Sequence, residues 1–315
     1  MNKGHQSLTV FAALALLLIV FLLPFFAGTS RPQMSGKYLV ESVAICFECH
    51  SERDFSKPGW PIPPGRKGSG RILRGEGTAD LIVAPNISSD KETGIGAWTD
   101  EEIKRAIVGG IGRDGRQLFP EMPYHYFNLL SALELDAIVK YLRSIPPVKS
   151  SLPKMPAYLP GPNPPKVPMD SLQLTAHSDA IKRGQYLVRL AGCETCHTPR
   201  NAQGFILGME FAGGSVFRHA NDKADAASNL TPDPTGIGHY TEQQFIGVIR
   251  TGRFGNRQIN SAMPWHFYRN MTDSDLRAIF AYLKALPPIS HKIDNSQAPS
   301  PCPKCRNQHG LGDQN

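Results

Sequence analysis

Cys46-Phe47-Glu48-Cys49-His50 returns 147 residues later as Cys193-Glu194-Thr195-Cys196-His197, and this repeated pentapeptide decides how the rest of the chain is read. A Cys-x-x-Cys-His run is the attachment sequence for c-type haem. Its two thiols form thioethers with the porphyrin vinyl groups, and the adjacent His reaches the iron as proximal ligand. Two intervening residues in a helical turn put both sulfurs on one edge of the macrocycle while the next residue points at the metal. A redox Cys-x-x-Cys needs no His directly after it, and a zinc site normally needs a closed set of four ligands. The chain is therefore expected to carry two covalently bound haem c groups, one on Cys46, Cys49 and His50 and the other on Cys193, Cys196 and His197.

Outward from the pentapeptides, the flanking sequence repeats in the same order. Gly36-Lys37-Tyr38-Leu39-Val40 answers to Gly184-Gln185-Tyr186-Leu187-Val188, and Asn86-Ile87-Ser88 to Asn229-Leu230-Thr231. Thr93-Gly94-Ile95-Gly96 answers to Thr235-Gly236-Ile237-Gly238, Met122-Pro123-Tyr124-His125 to Met263-Pro264-Trp265-His266, and Tyr141-Leu142-Arg143 to Tyr282-Leu283-Lys284. One haem domain has been duplicated, with the length changes in its loops.

The second axial ligand decides whether such an iron carries electrons or binds substrates. Met122 and Met263 are the candidates, since of the eight Met residues only these two align, each followed by Pro in a Gly- and Pro-rich stretch. A Met is more often core filler, and the aligned His125 and His266 compete for the same place, their plainer role being a hydrogen bond at the pocket edge. Arg116 and Arg257 also align and could pair with haem propionates as bidentate donors, the alternative being a solvated surface Arg. Trp98 and Tyr240 match as porphyrin contacts or core.

The pattern predicts an all-α fold of two tandem class I cytochrome c domains with long loops. Residues 31–147 form the first domain, 148–177 a Pro-rich linker, and 178–289 the second. Helices are expected from Ser35 to Ile45, from Thr99, where Glu102 completes a capping box, to Gly109-Gly110, and from Ala132 to Ser144. Residues 290–315 are expected to be a disordered tail. There Cys302 and Cys305 with His309 fall one ligand short of a zinc site, so a disulfide is the simpler expectation.

Residues 1–30 read as a membrane anchor or signal peptide. Leu8 to Ala27 is apolar and long enough to span a bilayer, while Ala27-Gly28-Thr29-Ser30 offers small residues for cleavage. Either reading puts the remainder on the periplasmic side of a bacterial inner membrane, anchored or secreted. The net charge of +7 is spread without a Lys/Arg stripe or interleaved aromatics, which argues against nucleic acid as partner.

The stretches Thr93 to Thr99, Met122 to Tyr124 and Tyr141 to Pro147, with their second copies, resemble the cytochrome c subunits of membrane-bound bacterial alcohol, aldehyde and gluconate dehydrogenases. The resemblance runs from about Ser35 to Ile289. It implies class I cytochrome c domains with His/Met ligation and an electron-transfer rather than catalytic subunit. A dehydrogenase would be the donor and a cytochrome, oxidase or quinone the acceptor. Subunits of that family usually carry three haem domains, and this chain has two copies. The rival from another class is a dihaem enzyme, a peroxidase or thiosulfate-oxidising cytochrome, which needs one haem with an open or unusual distal position.

Overall fold

The computed structural model describes residues 34–78, 80–155, 179–201, 203–218, 224–295 and 300–309. Leu8 to Ala27 and most of the predicted linker lie outside them. No helix among the described residues is long and apolar enough to cross a membrane.

In each repeat an N-terminal helix crosses a C-terminal helix at a glycine. The first copy has α1, Gly36–Tyr38, running into a π-helical turn at Leu39–Val43, where the Ala44 N–H reaches the Leu39 carbonyl at 2.8 Å. The second copy is α-helical throughout, Asp179–Leu190. The partner helices are Ala132–Arg143 and Asp273–Lys284. A Cβ built on Gly36 would stand 1.8 Å from the Ala137 carbonyl oxygen, and one on Gly184 1.9 Å from that of Ala278. Only glycine permits this approach, which seats Leu39, Val40 and Val43 in one core and Leu187 and Val188 in the other, all fully buried.

The middle helix of each copy, Asp100–Gly109 and Glu242–Thr251, begins at a capping box, Thr99 with Glu102 and Thr241 with Gln244. Each ends at a left-handed glycine, Gly110 (φ 63°) and Gly252 (φ 65°), which lies flat against the ring after the Met-Pro pair, Tyr124 or Trp265. The aligned asparagines do the same work in both copies. Asn86 Nδ2 donates to Thr93 Oγ1 at 3.0 Å and to the Val148 carbonyl at 2.6 Å. Asn229 Nδ2 donates to Thr235 Oγ1 at 3.3 Å and to the Ile289 carbonyl at 2.9 Å.

The expectation of an all-α fold is corrected. Among the described residues the loops are tied by five two-stranded antiparallel sheets. Arg71–Arg74 pairs with Ile82–Ala84, Arg200–Asn201 with Gly204–Phe205, Val216–Arg218 with Ala224–Ala226, and Arg253–Phe254 with Arg257–Gln258. A chain too rich in Gly and Pro for helix must still satisfy its backbone N–H and C=O groups, and short hairpins do so. Strands of two to four residues are too short to show the alternation by which a strand is read from sequence.

The tail also differs from expectation. Ser300–Pro301 pairs with Gln308–His309, and Cys305 is 1% exposed. Cys302 and Cys305 are free thiols, each beside an imidazole, rather than a disulfide.

The described residues from Ser35 onward pack as one compact unit, and the contacts between the repeats are reciprocal. Tyr38, on the first helix of copy one, donates to Asp275 on the last helix of copy two. Tyr186, its counterpart, donates to Glu134, the counterpart of Asp275, and both bonds are 2.7 Å. Each acceptor is the third residue of a helix capped by Ser131 or Thr272.

Candidate haem site

Each Cys-x-x-Cys segment is one short helix, Cys46–Cys49 and Cys193–His197, entered through a left-handed residue, Ile45 (φ 43°) or Gly192 (φ 66°). For a β-branched residue that conformation is strained, of order 1–3 kcal/mol, so the first copy stores strain beside its motif that the second avoids with glycine. His50 Nδ1 donates to the Pro85 carbonyl at 2.7 Å and His197 Nδ1 to the Ser228 carbonyl at 2.8 Å. A carbonyl can only accept, so the proton sits on Nδ1 and each Nε2 keeps its lone pair for a metal.

Both pentapeptides open on one continuous cavity of about 2120 Å³. A pocket for a single small ligand is usually about 300–1,000 Å³. Its lining includes all four motif cysteines, His50 and His197, together with Met122, Met263, Arg116, Arg257, Trp98, Tyr240 and His125. Burial pushes the Cys46 and Cys193 thiols up to about 12 and those of Cys49 and Cys196 to about 11. Such thiols stay neutral, unlike the low-pKa thiolate of a redox Cys-x-x-Cys. Free paired thiols, an oriented imidazole and an apolar cavity at each motif fit haem c.

Met122 and Met263 lie on matching turns. Met122 N–H donates to the Phe119 carbonyl (3.0 Å) and Met263 N–H to that of Asn260 (3.1 Å), and each Met carbonyl accepts from the N–H two residues on at 2.8 Å. Another cavity methionine, Met155, has its sulfur engaged by the Val83 N–H at 3.0 Å. Arg116 is held by Asp114 at 3.2 Å on the rim.

His266 sits elsewhere. Its Nε2 accepts from Arg53 at 2.6 Å and lies 3.3 Å from Glu48 Oε2, so it binds the first motif's surroundings from the second repeat. Arg53, 1% exposed at its side chain, also bonds Glu48, donates to the Gly59 and Trp60 carbonyls, and lies over the Phe267 ring at 5.0 Å. This junction was not foreseen from sequence. The signal was present, since Arg53 and Arg200 each stand three residues after a motif His. In the second copy, Tyr126 of the first repeat donates to the buried Glu194 at 3.2 Å. Burial raises the Glu194 carboxyl to about 7.

No protein-family model matches the chain. It is 30% identical over 284 residues to the fructose dehydrogenase cytochrome subunit of Gluconobacter japonicus, covering 83% of this chain and 54% of that protein. It is 31% identical over 229 residues to the cytochrome c subunit of the quinone-dependent alcohol dehydrogenase of Gluconacetobacter polyoxogenes, covering 66% and 48%. To a dihaem c-type cytochrome of Cereibacter sphaeroides it is 27% identical over 292 residues, covering 84% and 89%. The chain thus spans about half the length of the dehydrogenase subunits it matches. Its resemblance to cytochrome c subunits of bacterial dehydrogenases, read first from the repeated motifs, stands.

Proposed function

We propose that the chain is a c-type cytochrome of two haem domains that relays electrons from a dehydrogenase to a respiratory acceptor, a cytochrome, oxidase or quinone, on the periplasmic side of the bacterial inner membrane. The observation that carries this is the single cavity onto which both Cys-x-x-Cys-His motifs open. Haem iron, when bound, supplies reversible one-electron chemistry. Cys46, Cys49, Cys193 and Cys196 would hold the two groups covalently, His50 and His197 would be proximal ligands, and Met122 and Met263 would close the far side. Arg116 and Arg257, which both line the cavity, would pair with the propionates. With a Met closing each iron, the two sites would suit a carrier and not a catalyst. Likeness to dehydrogenase cytochrome subunits supports a dehydrogenase as donor.

The test is kinetic. The purified protein should contain two haems per chain, and once reduced it should be reoxidised by a cytochrome or terminal oxidase while showing negligible turnover of peroxide or thiosulfate. Rapid consumption of either small molecule by the isolated chain would replace the relay by a dihaem enzyme.

A further inference from the structure

We infer that the C-terminal tail holds a structural zinc ion on His291, Cys302, Cys305 and His309, away from both haem motifs. One ligand atom from each of the four side chains lies within 4.8 Å of the others. Cys302 Sγ is 3.2 Å from His291 Nε2, and Cys305 Sγ is 3.2 Å from His309 Nε2. With Zn–S at about 2.3 Å and Zn–N at about 2.0–2.1 Å, a tetrahedron has edges of roughly 3.3–3.8 Å. Two contacts are already at that scale, and a contraction of about an ångström closes the rest. Two thiolates and two imidazoles are a complete tetrahedral set with no open position, the donor chemistry of structural zinc and not of magnesium or calcium.

The surroundings are built for such a centre. His291 Nδ1 donates to the Ala212 carbonyl at 2.8 Å, which leaves Nε2 for a metal. His309 bonds the Lys292 backbone, and the Asn307 backbone bonds the Cys305 sulfur. The cysteine turn is closed in both directions, with Cys302 N–H to the Asn307 carbonyl and Arg306 N–H to the Cys302 carbonyl, both at 2.9 Å. Arg306 is left-handed (φ 63°). Opposite the turn, a Cβ on Gly214 would stand 2.8 Å from His291 Cε1 and 2.9 Å from His309 Nε2, so the imidazoles occupy space that only glycine leaves free. His291, Cys305 and His309 are 2%, 1% and 7% exposed. Three of the four donors are buried and Cys302 is half-buried, so an ion held there would be largely shielded from water. Binding would displace the two thiol protons to solvent.

The ion would act as a cross-link. Gly213 N–H donates to the His197 carbonyl at 2.7 Å, and Asn307 Nδ2 donates to the Gly214 carbonyl at 3.0 Å. Zinc would therefore fix the fold of the tail where Asn307 meets the Gly213-Gly214 segment that follows the second motif.

Elemental analysis of the purified, haem-loaded full chain should find one zinc per chain besides the haem iron, and zinc-edge X-ray absorption should show a shell of two sulfurs and two nitrogens. Cys302→Ser combined with Cys305→Ser should remove the zinc while both haem spectra persist. A wild-type chain that lacks zinc and takes up none when Zn²⁺ is added under reducing conditions overturns the inference. So does a zinc shell of oxygen and nitrogen alone, or Cys302 and Cys305 recovered from the native protein as a disulfide.

Discussion

Tyr38 Oη donates a 2.7 Å hydrogen bond to Oδ2 of Asp275, 237 residues away, and the same oxygen accepts from the Thr272 N–H at 3.0 Å. Asp275 is 6% exposed and also held by Arg183, Nε to Oδ1 at 3.0 Å and a terminal nitrogen to Oδ2 at 3.1 Å. A tyrosine of one repeat thus completes a buried carboxylate of the other. Tyr38→Phe should cost about 1.5–3 kcal/mol, the usual worth of a hydrogen bond to a charged group, and Tyr186→Phe less, because Glu134 is only half-buried. Denaturant titration of the holoprotein measures both. Wild-type stability in Tyr38→Phe would mean that the bond does not hold the repeats together.

The two crossing glycines reverse an ordinary rule. Alanine in a helix interior normally gains about 1 kcal/mol over glycine, but at Gly36 and Gly184 the new methyl would meet a carbonyl oxygen at 1.8 and 1.9 Å. Gly36→Ala and Gly184→Ala should each destabilise by about 1–3 kcal/mol or more, read as a lowered thermal midpoint. A raised midpoint in either variant would show that the helices can separate at no cost.

Glu41 gives the fold a pH dependence. Burial pushes its carboxyl up, but hydrogen bonds from Lys67, at 2.7 Å, and from Tyr141 outweigh that and hold it below the usual carboxylate range. A lowered folded-state pKa contributes stability that is present above the unfolded value and lost as pH falls through the folded one. The stability gap between wild type and Glu41→Gln should therefore be widest near neutrality and close on acidification. A gap independent of pH would contradict the assignment.

Met122 and Met263 set the expected spectrum. A thioether is a soft, neutral ligand that favours ferrous iron, so both haems should be low-spin with the weak near-infrared sulfur-to-iron band. Met122→Ala and Met263→Ala should each remove about half of that band and open one haem to carbon monoxide. An unchanged band in the first variant would move attention to His125, which lines the same cavity.

What could be read from sequence was local. The pentapeptides, the Thr99 and Glu102 cap and the glycine stop at Gly109-Gly110 each depend on a few consecutive residues. What joins the repeats depends on pairs 52 to 237 positions apart, from Tyr186 with Glu134 to Tyr38 with Asp275, and no spacing rule reaches that far. His266 was legible as an aligned histidine but not as a residue turned toward Glu48 and Arg53. The hairpins were hidden because segments such as Arg200–Asn201 carry no period. In the tail, Cys302, Cys305 and His309 were visible as three of four donors, and His291, eleven residues before Cys302, was assigned to no group until folding brought it back.

The equivalence of Tyr38 with Asp275 to Tyr186 with Glu134 has a consequence for the residues between the repeats. A contact in which the same surface of each copy meets the same surface of the other has the symmetry of a twofold homodimer, here written along one polypeptide. The joint itself then belongs to the folded surfaces of the two copies, each bringing a tyrosine to the other's capped helix. Among the described residues, the four side chains of this reciprocal contact all lie on the repeats' own helices, so each copy is to the other what one subunit of a dimer is to its mate.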